Sequence, residues 1–533
     1  MEYFSIIPAL GLKSNVPQND PTMLQMLSPT LAVSHCVSCR NIDLTRRRNS
    51  SNKSYGYTQW SNSANATHTR CLGLFQLDDG ANTDRIFIDT GLVYIFNGTD
   101  DPVRMCDTAA CAPTPVVYAS DAIDLYSMIQ YGSYWVFTDR GEHTPYKWKH
   151  GDTTLSKLLL AGTEYKFRYL EFFQGRIIGA YSDQTNGDLE IRWSERLPAV
   201  AGLTMASLNQ DFKPGVDSIS GIKRFGSNAC LLYGSDSINS IEYMENYSKP
   251  FGIIELVGTQ GTSSHHSIIS TGDAHFFFNK NYGFCEYRGG NQFPYGGAPI
   301  SEDIENRIAT IDITSQSIIV GKENPLTQEL VWSVPLNHST TNNALLCYNR
   351  KTKQWRQEDK VAAYLDYWTI AKNPTWEKVF KDQDWTTVAG GLTWTQLSTQ
   401  PAKKIVFGNT DGKLYGLYGE TNAGTAMQTH RVEPISDFGD QYRKDLLLEI
   451  WIQSANYSAT PVTIRWRGGD SVEEIEKKSF TIIGTVSFAD NLRPVLYTSQ
   501  IARMHQIMWQ INDANMDFSI NNFNFGYVGQ SRI

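Results

Sequence analysis

Ser133–Asp139, SYWVFTD, is a short apolar stretch that follows a glycine and ends at a turn. The same arrangement recurs in Arg176–Asp183 (RIIGAYSD), Asn228–Ser235 (NACLLYGS) and His275–Asn279 (HFFFN). The glycines that precede these stretches are 43, 51 and 46 residues apart: Gly132, Gly175, Gly226 and Gly272. Blades of β-propellers repeat every ~40–50 residues and contain four strands each. The spacing therefore predicts an all-β chain built around a β-propeller.

Less regular copies flank this central region. Ile86–Asp89 and Leu92–Phe96 predict a hairpin upstream, and Ile405–Phe407 with Leu414–Tyr418 predicts another downstream, across an Asp-Gly turn. We count about six or seven blade-like units, some of them irregular, between residues 81 and 425. A pair of ordinary β-sandwiches is the alternative, because strands every 8–12 residues fit both architectures.

The two ends of the chain differ from the middle. Residues 426–533 contain six strand-like segments with hairpin signals, which predict a C-terminal antiparallel β-sandwich. Residues 1–80 are rich in Pro, Ser and Asn and predict an extended arm or an irregular platform element. A chain of 533 residues is too long for one hydrophobic core, so a three-part division at residues 1–80, 81–425 and 426–533 is expected.

The charge balance argues against tight nucleic-acid binding. The chain has 47 basic and 55 acidic residues, a formal net charge of −8. Sequence-specific DNA readers need clusters of Lys and Arg that neutralise phosphates, and only Arg46–Arg48 forms such a run. This run reads as a solvated turn or as a contact with a partner.

The N-terminus lacks a basic segment and is interrupted by Pro8, so we expect no secretory signal, and no stretch is apolar enough to span a bilayer. The eight cysteines are then expected to stay reduced. Cys36 and Cys39 form a C-x-x-C and Cys106 and Cys111 lie close in sequence, but a structural zinc site needs a second pair of ligands. These two pairs are therefore interpreted as buried or idle thiols in preference to zinc ligands. Cys230, Cys285 and Cys347 fall within predicted strands and are interpreted as small core residues.

No catalytic, cofactor-binding or metal-binding residue is predicted, because the common nucleophile, metalloprotease and phosphate-binding motifs are absent from the sequence. His265-His266 is interpreted as part of a polar loop. The enzyme alternative is a propeller glycosidase, which needs two carboxyl groups beside the sugar bond. Candidates for these groups also suit tight turns: Asp183, Asp188, Glu190 and Asp411. A sugar-binding receptor protein is the third hypothesis. Aromatic side chains in predicted loops could stack on a sugar, although packing in a core or an interface is their more common role: Trp60, Tyr146 and Trp148.

Several segments resemble one family. Gly11–Leu24 (GLKSNVPQNDPTML), His35–Asn41 (HCVSCRN) and Arg46–Gln59 (RRRNSSNKSYGYTQ) resemble the N-terminal region of the proteins that form the nozzle, or hub, of short non-contractile bacteriophage tails. That family includes the proteins labelled packaged-DNA-stabilisation proteins. The hairpin Leu345–Trp355 (LLCYNRKTKQW) and the final segment Asp517–Val528 (DFSINNFNFGYV) are similar to its layout.

This resemblance implies a non-enzymatic virion protein that is made in the host cytoplasm and assembled into the tail. It implies a homohexameric ring below the head-to-tail adaptor protein, with tail fibres or tailspikes as further partners. Genomic DNA would pass through the ring without sequence-specific binding, and the ring would help to retain the packaged genome until DNA ejection. A mildly acidic chain suits such a lumen, because phosphate contacts repeated around a ring would trap the duplex.

Overall fold

The computed structural model describes residues 1–18, 20–28, 30–44, 51–53, 58–59, 70–80, 82–89, 93–96, 103–104, 125–152, 155–158, 164–196, 210–244, 249–289, 298–324, 327–370, 402–417, 427–438, 443–455, 460–513 and 519–532. Within these ranges the protein is all-β, as predicted. Trp60, the run Arg46–Arg48 and the pair Cys106 and Cys111 lie outside them. No helix in the described ranges is long and apolar enough to cross a membrane.

The strands from the first half of the chain are β1 (Glu2–Ile7), β2 (Leu24–Ser28), β3 (Leu31–Ser34), β4 (Ser38–Arg40), β5 (Ile42–Asp43), β6 (Ser51–Lys53), β7 (Thr58–Gln59), β8 (Gly73–Asp78), β9 (Thr83–Ile88), β10 (Val93–Phe96), β11 (Val103–Arg104), β12 (Ser127–Tyr131), β13 (Tyr134–Thr138), β14 (Tyr146–Lys149), β15 (Ser156–Lys157), β16 (Phe167–Phe173), β17 (Arg176–Ser182), β18 (Glu190–Trp193), β19 (Gln210–Phe212), β20 (Ile219–Phe225), β21 (Ala229–Gly234), β22 (Ile238–Tyr243) and β23 (Phe251–Val257).

The strands from the second half are β24 (Ile269–Ser270), β25 (His275–Asn279), β26 (Gly283–Tyr287), β27 (Ala298–Pro299), β28 (Val320–Asn324), β29 (Glu329–Val334), β30 (Ala344–Asn349), β31 (Gln354–Glu358), β32 (Tyr364–Ile370), β33 (Ala402–Gly408), β34 (Leu414–Gly416), β35 (Met427–Val432), β36 (Arg443–Ser454), β37 (Val462–Gly469), β38 (Thr481–Val486), β39 (Val495–Ala502), β40 (Met504–Asp513) and β41 (Ser519–Arg532). The described helices are α1 (Glu305–Ile308), α2 (Val472–Lys477) and five short 3₁₀ segments, Pro21–Met23, Gly187–Leu189, His265–Ser267, Glu302–Ile304 and Ile313–Ile318.

Seven antiparallel sheets of four strands occupy the middle of the described chain. Six of them use consecutive strands: sheet one is β8–β11, sheet two β12–β15, sheet three β16–β19, sheet four β20–β23, sheet five β24–β27 and sheet six β28–β31. Sheet seven combines β32, β33 and β34 with β7, which comes from the N-terminal region. Sheet seven is therefore completed by β7, which precedes sheet one in the chain.

The first strands of the seven sheets contact one another in chain order, and β32 of sheet seven also contacts β8 of sheet one. The ring of first strands is thus closed. Apolar clusters fill the spaces between successive sheets, for example between sheets three and four around Trp193, Ile222 and Phe251. Each sheet is buried on both faces, which explains why strands such as β29 and β25 are buried along their whole length.

The glycines that revealed the period lie in the turns between the first and second strands of sheets two to five. All four have positive φ, between 59° and 88°. In sheet three the turn contains only Gln174 and Gly175, because Phe173 pairs directly with Arg176. Residues with a Cβ rarely adopt this conformation, so the turn geometry explains the recurrence of glycine.

Two further sheets combine both ends of the chain, and we call them the terminal sheets. The first has the strand path β2-β3-β1-β41-β36-β39, with β5 and β6 attached beside β41. The second has the order β38-β37-β40-β35-β4. The six strands expected after residue 426 are all present, and N-terminal strands extend both sheets.

The N-terminal eighty residues are more regular than their composition indicates. β1 pairs with β41 and β3, and β4 pairs with β35, so the expected irregular arm is largely sheet in its described part. The first four-stranded sheet also begins at Gly73, ahead of the expected boundary at residue 81. The physical reason is that backbone groups packed against a core need hydrogen-bond partners, which neighbouring strands supply.

One hydrophobic cluster joins the terminal sheets to sheets five and six. It contains Phe4, Ile450 and Phe525 from the terminal sheets together with Phe284 and Trp355. The Trp355 carbonyl accepts a hydrogen bond from Leu12 N at 2.7 Å, and its indole Nε1 donates to the Ile300 carbonyl at 2.7 Å. A buried ion-pair network beside it links Arg356 to Glu329 and Glu358. Apolar packing and hydrogen bonds therefore couple the two parts of the molecule.

Candidate functional site

The short helix His265–Ser267 lies inside the ring of first strands, and we call it the axial helix. His265 Nδ1 accepts a hydrogen bond from Ile222 N of sheet four at 3.3 Å. Its Nε2 lies 3.4 Å from Ser127 Oγ of sheet two, and its ring packs in a tilted arrangement against Tyr169 of sheet three, with 4.8 Å between ring centroids. One imidazole therefore contacts three different sheets.

The next residues extend these contacts across the ring. The His266 ring packs edge-on against Tyr364 of sheet seven, with 5.6 Å between ring centroids. Trp332 Nε1 of sheet six donates to the Ser267 carbonyl at 3.0 Å. At Gly221 in β20, a Cβ would lie 3.3 Å from the Cα of His265 and 3.0 Å from Ile268, so glycine permits the close approach. The axial helix thus closes the space that the first strands surround.

A cavity of about 290 Å³ remains beside the axial helix. Two lysines face it, each paired with a carboxylate on a neighbouring sheet. Lys322 Nζ lies 2.8 Å from Asp366 Oδ1, and Lys223 Nζ lies 3.2 Å from Glu171 Oε2. Attraction by Glu171 raises the pKa of Lys223, although burial opposes the shift. The cavity is therefore lined by ion pairs that cross between sheets.

The two histidines are uncharged at neutral pH. Burial lowers the pKa of His266 to about 3, with further contributions from the positive charges of Lys322 and Lys223. Burial likewise moves the pKa of His265 well below its ordinary value. Because Nδ1 of His265 accepts a hydrogen bond, its proton is assigned to Nε2. The polar loop expected at His265-His266 is instead a short helix in which His265 is buried and His266 is half-buried beside the cavity.

These side chains offer little for catalysis. A glycosidase needs one carboxylic acid and one free carboxylate beside the sugar. Here Glu171 and Asp366 are each occupied by a lysine. The arrangement can hold the sheets together through partly buried ion pairs that join neighbouring sheets.

The carboxylates proposed from the sequence hold local structure. Asp183 is exposed and accepts from Lys166 N at 3.2 Å, and Asp188 accepts from Ser218 Oγ at 2.8 Å. Glu190 is only 1% exposed; it accepts from the Ser182 hydroxyl and pairs with Arg192 at 2.6 Å. Asp411 accepts from Lys413 N at 3.0 Å and from Tyr415 Oη at 2.9 Å within the Asp-Gly turn. The turn interpretation accounts for Asp183 and Asp411, whereas Glu190 is a buried strand residue with a charged partner.

The aromatic and cysteine candidates lie in the interior. Tyr146 and Trp148 belong to β14 and are buried, so the expectation that they lie in loops was wrong. Cys230, Cys285 and Cys347 are buried strand residues, which confirms their interpretation as core residues.

Cys36 and Cys39 are buried free thiols that hydrogen bond to each other. This bond lowers the pKa of Cys39 to about 7, and burial raises that of Cys36. Within the described ranges, no group of three or more His, Cys, Asp or Glu side chains is placed to hold a metal.

Sequence reasoning missed the charged residues of the first strands: Glu171, Lys223, Lys322 and Asp366. Glu171 and Asp366 each interrupt a mainly apolar or aromatic stretch, FRYLEFF of β16 and YLDYWTI of β32. That interruption is a usable signal, because a charged group within a buried strand requires a partner. The partner itself lies on another sheet and leaves no local pattern.

Comparison with known proteins gives no family. No family model matches the chain, and no curated protein matches it. Among solved structures, Sqt1 of Saccharomyces cerevisiae is 9% identical with a TM-score of 0.35, over 63% of this chain and 81% of that one. The extracellular domain of the putative hybrid two component system BT4673 from B. thetaiotaomicron is 8% identical with a TM-score of 0.40, over 71% and 46%.

An exo-β-1,3-galactanase from Phanerochaete chrysosporium is also similar, at 8% identity and a TM-score of 0.27, over 89% of this chain and 99% of that one. All three TM-scores are below 0.5, and we draw no functional argument from these similarities.

Proposed function

We propose that the seven four-stranded sheets are the blades of a β-propeller and that the terminal sheets form a β-sandwich platform. The closed ring of first strands supports this assignment. Strand β7 supports it as well. It precedes sheet one in the chain and pairs with β34 of sheet seven, so this pairing joins the two ends of the array of sheets. Closure of this kind leaves few exposed sheet edges.

We further propose that the protein is a structural component of a short bacteriophage tail, in which it forms the nozzle or hub. The proposal rests on the resemblance carried by the N-terminal segments and by the layout of the chain. The structural observation that supports the proposal is the hydrophobic core that the terminal sheets share with sheets five and six. Such a core makes one stiff body, which suits a wall that holds a pressurised genome.

The conduit in this proposal lies between subunits. The axial helix blocks the space within the ring of first strands of a single chain, so that space is unsuited to DNA. A homohexamer would instead enclose a lumen at its own symmetry axis, since heterologous contacts close into a ring when the rotation fits. The net charge of −8 would limit attraction between that lumen and the duplex.

In the assembled tail, the platform would dock on the head-to-tail adaptor protein and would carry tail fibres or tailspikes. The propeller would extend away from the head. The DNA would be retained before infection and released through the ring during ejection. The role is non-enzymatic, in keeping with the structural contacts of Asp183, Asp188 and Glu190.

The test is the oligomeric state of the purified full-length chain and its presence in particles. Light scattering after size-exclusion chromatography should give a mass six times 60.0 kDa, and electron microscopy should show six-fold rings. A chain that remains monomeric at all concentrations and is absent from virions would refute the proposal. Saturable sugar binding, or hydrolysis abolished by Asp188→Asn, would favour the receptor or glycosidase hypotheses instead.

A further inference from the structure

The first terminal sheet presents exposed apolar side chains at both of its outer strands. At one end, Met26 and Leu27 of β2 are 53% and 62% exposed. At the other end, Tyr497 and Ile501 of β39 are 75% and 52% exposed. In the described part of the chain, β2 pairs only with β3 and β39 only with β36. In the described chain, the outer backbone of each strand therefore has no hydrogen-bonded neighbouring strand, and β39 also packs beside β38 and β37 of the second terminal sheet.

Two of the features that normally prevent association are absent from both edges. Natural edge strands are protected by charged side chains, especially lysine, by proline, or by bulges that twist the edge away. β2 reads LQMLS and β39 reads VLYTSQIA, with no charged residue and no proline in either. Each strand has one register shift, between Met26 and Ser28 in β2 and opposite Leu447 and Glu449 in β39. A bulge increases the local twist, so these register shifts are a protective feature that both edges retain.

The directions of the two strands decide which symmetry their contact would have. β39 is antiparallel to β36, β36 to β41, and β41 to β1. β1 is parallel to β3, and β3 is antiparallel to β2. β2 and β39 consequently run in the same direction. A second copy placed in the same orientation would add its β2 beside β39 as a parallel neighbour, which is a head-to-tail contact.

Two further properties favour a second copy as the occupant. The two apolar edges lie about 24 Å apart, at opposite ends of a six-strand path with a strand spacing of ~4.8 Å. A heterologous contact needs two different patches on opposite sides of one subunit, and the sheet supplies both. Arg493 precedes β39 and Asp20 precedes β2, so parallel addition brings these opposite charges to the same end of the contact.

We propose that neighbouring copies of this chain associate through the β39 edge of one copy and the β2 edge of the next. This inference rests on the proposed ring and identifies the surface that forms it. Tyr497 and Ile501 of one copy contact Met26 and Leu27 of the other, and the two strands continue the sheet across the contact. The repeated contact is head-to-tail, which distinguishes it from a two-fold pairing of β39 with β39.

Charge variants test the contact. Leu27→Glu and Ile501→Lys should each weaken association by roughly tenfold or more, because a charge is buried without a partner. The double variant L27E/I501K should regain association, since the new Glu and Lys meet across the contact. Val216 lies in the connection between β19 and β20, and its side chain is 98% exposed. The control variant Val216→Glu should leave association unchanged. Sedimentation velocity over a concentration series measures all four, and circular dichroism establishes that each variant is folded.

Engineered cysteines determine the symmetry. L27C and I501C together in one chain should give covalent ladders under mild oxidation, whereas either alone should give none beyond wild type. Dimers formed by I501C alone would show a two-fold contact and overturn the proposal.

Rings that persist unchanged in L27E and I501K would also overturn this inference, while leaving the tail-nozzle proposal intact. A wild-type chain that never associates and is absent from virions would refute both.

Discussion

Replacement of Trp355 by alanine should loosen both parts of the molecule at once. The side chain is 1% exposed and packs against Phe284, Trp332 and Tyr348, with ring centroids 4.9–5.7 Å away. Removal of a buried Trp costs about 3–5 kcal/mol, and loss of the hydrogen bond to the Ile300 carbonyl adds about 1 kcal/mol. The sum of about 4–6 kcal/mol is a large part of the stability of an ordinary domain, about 5–15 kcal/mol.

Hydrogen exchange measured by mass spectrometry is the suitable assay, because a chain of this size need not unfold in one step. In W355A, amide protection should fall by roughly a thousandfold or more in the most protected amides of β30 and β31, given 1.4 kcal/mol for each factor of ten. Protection should also fall in β1 and β41, because they share the cluster that contains Trp355.

W355F is the matched control. It keeps an aromatic ring in the cluster and loses the indole hydrogen bond, so the loss should be about 1–2 kcal/mol. The reasoning would be refuted by W355A molecules in which sheet six exchanges faster while β1 and β41 keep their wild-type protection. That result would mean that the terminal sheets form an independent unit.

Three other outcomes are expected. Burial lowers the pKa of His275 and His505 to about 4 in the folded protein, below the unfolded value of about 6.5, so their contribution to stability is complete above pH 6.5 and declines as the pH falls towards 4. In His275→Gln, the free energy of unfolding measured with urea should depend less steeply on pH in this window, by up to about 1.4 kcal/mol per pH unit. An unchanged slope would contradict the lowered pKa of His275. Glu190→Gln should destabilise sheet three by about 3 kcal/mol, because Arg192 loses its charge partner. The control Asp183→Asn lies at an exposed turn and should change thermal stability little. Equal effects of the two variants would argue against the structural role of Glu190. Gly175→Ala should cost about 1–2 kcal/mol because φ is 75° there, and a neutral effect in thermal unfolding would show that the turn tolerates a Cβ.

The period of the central sheets was predictable because its cause is local. Gly132, Gly175, Gly226 and Gly272 mark tight turns, and the second strand that follows each of them is apolar on both faces. The strand segments after residue 426 were predictable for a similar reason, since hairpin signals and alternation lie within a few residues of each other.

The long-range pairings could not be predicted in the same way. β7 contains only Thr58 and Gln59, and its partner Tyr415 lies about 350 residues later. β1 becomes a strand because β41 and β3 flank it, and nothing in EYFSII by itself specifies those neighbours. The axial helix was misread as a polar loop because the groups that bury His265 come from three separate sheets. In each case the deciding contact joins residues that are distant in sequence.

The pairing of β1 with β41 has a consequence for biosynthesis. β1 is translated long before β41, the strand with which it pairs. Sheets one to six can form while translation continues, but β1 must wait until β41 has been made. A product that stops before Ser519 lacks β41 and leaves β1 without that neighbour, so it cannot complete the surface through which we expect copies to associate. The order of translation would then act as a check that only chains that contain β41 enter the assembly.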